Sequence, residues 1–179
     1  NINYAITNPG DYISTTNPSI YVPVFANGNP LGGGTTGTAI AMAGFTYTST
    51  GTTAPTTVLT QSQIGTVWGL AYSKSASRLF ASAFLKRQHG LGPGNGSAAT
   101  QPYVGTIYLV NPAATSSSFF CDLDALGFPT HAAAGALNVR TNAVRALGPN
   151  LISVFQDPTT FDQVGKVGIG DIDISDDGR

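Results

Sequence analysis

The side chains able to do chemistry are few in this chain of 179 residues. The densest group is DIDISDDGR, where Asp171, Asp173, Asp176 and Asp177 set hard oxygen ligands on alternate strand positions and a turn. That donor set suits Ca2+, although the run lacks the central glycine and distal glutamate of the helix-flanked calcium loop. A polar strand face leading into an Asp-Gly hairpin turn is the competing expectation. His89 and His131 fall in two loops, with no third ligand spaced as a zinc site requires. Were those loops to converge on one face, the histidines and nearby aspartates could serve a lyase or hydrolase. No GxSxG elbow supplies a nucleophile for such an enzyme.

The remaining candidates have structural readings. Cys121 is the single cysteine, which excludes an intramolecular disulfide, and in SSSFFCDL it is expected as a small buried hydrophobe. Asp122 and Asp124 beside it suit loop capping. Trp68 and Tyr72 share a face at period two, and core packing is expected of both in preference to sugar stacking. Asn95-Gly96-Ser97 matches a glycosylation acceptor. The glycine runs at Gly32–Gly34 and Gly90–Gly96 lack the GK[ST] ending of a phosphate loop and read as loops.

The elements that would position these groups are strands. Only 9% of residues are charged, all nine acids are aspartates, and 22 Gly and 11 Pro accompany abundant Thr, Ser and Asn. A shortage of Glu and Lys argues against helices, whereas the residues present favour strands and turns. A net charge of −1 provides no basic field for nucleic acid or anionic lipid. Strand patterns occupy Ile20–Ala26, where Pro23 suggests an edge, and Thr38–Thr50. The Thr-rich stretch Thr46–Thr60 reads as strand and loop or as a carrier of O-linked sugars. GTVWGLAYS and RLFASAFLK form a hairpin across Lys74–Ser77, and GTIYLVNP and SSSFFCDL extend it. Residues 65–123 therefore read as a four-stranded antiparallel meander, the unit of a β-propeller blade or half of a β-sandwich. Two long Gly/Pro-rich or irregular loops interrupt the pattern, at Gln88–Tyr103 and across residues 124–163.

On these residues the chain resembles a known family. IGTVWGLAYSKSASRLFASAFLKRQHGLGP, then GTIYLVNP, then FDQVGKVGIGDIDISDDGR are similar to the N-terminal blades of a β-propeller region. That region occurs in large secreted bacterial surface proteins bearing Ig-like adhesin modules. The resemblance spans Pro18–Arg179 and brings no catalytic residues with it. It implies an all-β chain with blade units near 18–64 and 65–123, and a further blade starting at 164–179. It also implies a strand to follow the Asp176–Gly178 turn.

The expected fold is thus all-β, a single domain over 1–179 or an incomplete propeller. The expected function is a secreted or cell-surface structural and adhesive module, assembling through strand pairing at Asp171–Ser175 with neighbouring chains or with more of its own polypeptide. A loop-borne His/Asp enzyme and a calcium-dependent glycan binder are the alternatives. An Asn1 start without a basic, apolar leader fits an extracellular protein whose leader has been removed.

Overall fold

The structure, a computed structural model, describes residues 17–94, 104–130, 141–153 and 156–175. It is mostly antiparallel β. One sheet has three strands in the order β1-β2-β3: β1 (Ser19–Pro23), β2 (Ile40–Thr46) and β3 (Thr56–Thr60). The other is a meander in sequence order: β4 (Val67–Ser73), β5 (Arg78–Ala83), β6 (Thr106–Asn111) and β7 (Ser116–Asp122). Two four-residue helices, α1 (Thr35–Thr38) and α2 (Gln61–Ile64), sit at strand junctions.

The meander forms where the sequence places it. Ser73 pairs with Arg78, so Lys74–Ser77 is the hairpin loop, and Ser77 turns it with a φ of 52°. β1 is an edge strand, which lets Pro23 sit in a ladder without a backbone donor. Within Thr46–Thr60 the segment Thr56–Thr60 is a full strand, paired with β2 from Ile40↔Thr60 to Gly44↔Thr56. Its apolar pair Val58 and Leu59 supplies the core contacts that plain Thr propensity does not announce.

The two sheets share one core. Ala41, Met42, Val58 and Leu59 from the first sheet pack with Val67, Leu79, Ala81, Tyr108 and Val110 from the second. Gln61 is buried at the junction, where its Nε2 donates to Val24 O at 2.7 Å and to Ile40 O at 3.1 Å. Thr60 N donates to Gln63 Oε1 at 2.8 Å, a capping contact that starts α2 directly after β3.

Two packing expectations are corrected. Trp68 and Tyr72 do follow period two, but they are exposed, Trp68 at 54%. The buried positions of β4 are the smaller residues, Val67, Gly69, Ala71 and Ser73. Gly69 is the reason: a Cβ there would lie 2.8 Å from Gly170 O and Ile172 N, so a second backbone occupies that face. Cys121 is half-buried, not enclosed, and burial together with the charge of Asp122 pushes its thiol pKa up.

Candidate functional site

Three rings gather at the end of β1, the start of β4 and the end of β5. Phe25 follows β1, Trp68 is the second residue of β4, and Phe84 follows β5. The Phe25–Trp68 centroids are 6.2 Å apart with planes at 10°, and Trp68–Phe84 are 5.9 Å apart at 38°. Phe25 and Phe84 close the triangle at 6.4 Å. Beside them opens a cleft of about 430 Å3, lined by Val24, Phe25, Asn27, Ile40, His89 and Leu151. Its size is that of a small-molecule site, roughly 300–1,000 Å3.

His89 stands edge-on to Phe25 at 5.8 Å. Its Nδ1 lies 2.7 Å from Arg87 O, and because a carbonyl only accepts, Nδ1 must carry the proton. Nε2 is then a lone-pair acceptor, with no hydrogen bond to a described residue. Burial lowers the His89 pKa, the charges of Lys86 and Arg145 lower it further, and the Arg87 carbonyl opposes them. The ring is therefore neutral at neutral pH. Lys86 places its ammonium 5.1 Å from the Phe25 centroid and makes no ion pair with a described residue.

A buried ion pair holds this wall in place. Arg145 and Asp157 are both fully enclosed, with Nη2–Oδ2 at 2.7 Å. Arg145 Nη2 also donates to Lys86 O at 2.9 Å, and Gln88 N donates to Asp157 Oδ2 at 2.8 Å. Arg87 adds two bonds to Gln156 O, at 3.1 and 2.9 Å, and lies over Phe161. Asn142 completes the frame by pairing both ways with the Leu91 backbone, at 2.8 Å each. Asn142, Arg145, Gln156 and Asp157 thus brace residues 86–91.

The residues singled out by sequence are scattered. His131, Asn95, Asp176 and Asp177 lie outside the described residues. Asp171 and Asp173 are exposed, and each accepts from the next backbone N–H, at 3.0 Å from Ile172 and 2.8 Å from Ile174. Among the described residues no three His, Cys, Asp or Glu side chains cluster as metal ligands. Asp122 and Asp124 shape the turn after β7, with Asp122 accepting from Asp124 N and Asp124 accepting from Thr130 N. Asp171–Ile174 belongs to no ladder among the described residues. Its leading end is nonetheless docked: Gly170 O accepts from Ser82 Oγ at 3.0 Å, above Gly69.

Sequence reading names Trp68 and His89 separately, but not Phe25, Phe84 or the Arg145–Asp157 pair that join them into one site. Phe25 and Phe84 are the residues just past two predicted strand centres, so a cluster at strand ends was the available signal. Among the described residues no helix is long and apolar enough to cross a membrane. Comparison with protein-family models, curated proteins and solved structures returns no match.

Proposed function

We propose that the chain is a secreted or cell-surface adhesive module, built of propeller-type blades, whose recognition site is the aromatic cleft and whose ligands are glycans. The observation that carries this reading is the solvent-open ring of Trp68, flanked by Phe25 and Phe84 beside a cleft with polar groups at its edge. Aromatic faces of that kind are surfaces on which the C–H face of a sugar stacks, while their area is otherwise unfavourable to expose. The scarcity of charge and the wealth of Thr, Ser and Asn suit an extracellular surface. Affinity electrophoresis in gels cast with soluble polysaccharides tests it. Retardation of the wild-type chain is expected in at least one gel, and Trp68→Ala is expected to migrate freely with an unchanged circular dichroism spectrum. Free migration of the wild type in every gel, or equal retardation of the variant, would sink the reading.

A second reading is favoured by Asp171–Ile174, which lies in no ladder among the described residues and follows a segment docked on β4. Neighbouring chains would pair with it by strand addition, and such heterologous contacts propagate. Sedimentation velocity is then expected to show mass rising with concentration. A monomer at all concentrations, with slow hydrogen exchange at Ile172–Ser175, removes this reading.

A further inference from the structure

We propose that the cleft, together with the side chains packed around its Phe25 wall, takes a carboxylate-bearing sugar ring, a uronic-acid residue, with Trp68 as the platform, Lys86 as the carboxylate contact and His89 Nε2 as the hydroxyl acceptor. The inference rests on the glycan-binding reading and narrows it to one ligand chemistry. Three independent features meet here. The first is the apolar surface of Trp68, Phe25 and Phe84, which matches the C–H face of a pyranose.

The second is charge. In a chain with 8 Lys and Arg in all, Lys86 and Arg87 are consecutive at this edge. The nearby carboxylate, Asp157, is enclosed and neutralised by Arg145. Lys86 therefore has no internal counter-ion among the described residues, and its ammonium is held 5.1 Å from the centroid of Phe25, a ring that lines the cleft. An ammonium poised beside an apolar surface favours an anionic group, and a charge-assisted hydrogen bond is about twice as strong as a neutral one.

The third is the tautomer of His89. With Nδ1–H committed to Arg87 O, the free nitrogen can only accept, so it asks the ligand for a donor. Asn27 at the cleft edge offers both a donor and an acceptor. A flat aromatic acid meets the platform and the lysine but leaves the His89 acceptor without a hydroxyl. A neutral sugar meets the platform and His89 but not Lys86. A uronic acid carries a group suited to each of the three.

The test uses an intrinsic reporter, because Trp68 is the single tryptophan of the chain. The full chain is titrated with trisaccharides of galacturonic and mannuronic acid, and with the neutral trisaccharides of galactose and mannose, following Trp68 emission. Saturable change is expected with an acidic sugar, at a Kd about tenfold or more below that of its neutral counterpart, as one charge-assisted bond would give. Lys86→Gln is expected to abolish that preference. Equal affinity for acidic and neutral sugars would overturn the acidic assignment and leave the glycan site standing. Preference retained in Lys86→Gln would overturn the role of Lys86. No response to any of the four, in a chain that is also unretarded in polysaccharide gels, would overturn the acidic ligand and the glycan site together.

Discussion

Arg145→Met is expected to lower folding stability by about 3–5 kcal/mol at pH 7, the range for breaking one side of a buried ion pair. Removal of the guanidinium leaves Asp157 enclosed with Gln88 N–H and Thr160 Oγ1–H as its remaining donors. It also withdraws the donor that Lys86 O accepts from, so the wall carrying His89 loosens. The pH dependence identifies the cause. Burial alone would raise the pKa of Asp157, but hydrogen bonds and charge from Arg145, with the Gln88 and Thr160 donors, hold it below the ordinary carboxylate value. A carboxyl depressed in the folded state contributes stability above its unfolded pKa, about 3.9, and loses it as pH falls through the folded value. In Arg145→Met the burial effect is left less opposed, so the folded carboxyl titrates higher and protonation relieves it. The stability gap between wild type and variant is therefore expected to narrow between pH 7 and pH 3. Urea unfolding at the two pH values measures this. A gap that is constant with pH would mean that lost packing of the Arg145 stem, not the charge on Asp157, accounts for the effect. The buried Arg145 Nη1 has no hydrogen-bond partner among the described residues.

The strands were legible because a half-buried strand writes its period into the sequence. β4 through β7 fall inside the stretches that alternation and turn residues mark, down to the four-residue loop before Arg78. β3 was obscured because TTVLT carries its two core residues side by side, amid threonines that suit strand and loop equally. Trp68 faces outward for a different reason. Period two establishes that Trp68 and Tyr72 alternate with Gly69 and Ala71, but not which set faces inward. That choice is made by Gly170–Ile172, a backbone about a hundred residues away that can approach only where β4 has a glycine. The site was less legible than the fold. Arg145 and Asp157 are ordinary residues in irregular segments, and their pairing depends on where those segments lie against 86–91. No local pattern encodes that placement.

Gly65→Ala is expected to be comparably damaging, at about 3–5 kcal/mol, through backbone strain and backbone collision together. Gly65 ends α2 with φ 61° and ψ −146°, a region that residues with a Cβ scarcely enter. Occupying such a region costs on the order of 1–3 kcal/mol before any contact is counted. A Cβ on Gly65 would also collide with the backbone nitrogen of Gly92 and the carbonyl carbon of Leu91. The reciprocal holds: a Cβ on Gly92 would strike the carbonyl group of Ile64. Two glycines thus let the start of β4 cross directly under the segment that carries His89. The crossing is fastened by Thr66, whose N and Oγ1 both donate to Gly90 O, at 3.0 and 2.8 Å. Comparison glycines separate conformation from contact. Gly33 also has positive φ, at 76°, but a Cβ there would meet nothing within 4 Å, so Gly33→Ala is expected to lose only the conformational part. Gly51 has neither restriction, and Gly51→Ala is expected to change stability by less than about 1 kcal/mol, in the stabilising direction. Denaturant midpoints should therefore fall in the order Gly51→Ala, Gly33→Ala, Gly65→Ala, with Gly92→Ala close to the last. If Gly65→Ala matched Gly33→Ala, the strain at Gly65 would be conformational only, and the crossing under Gly92 would have to yield freely. If Gly65→Ala and Gly92→Ala were both severe, the tight passage between the two backbones would be established as what sets the His89 wall against β4.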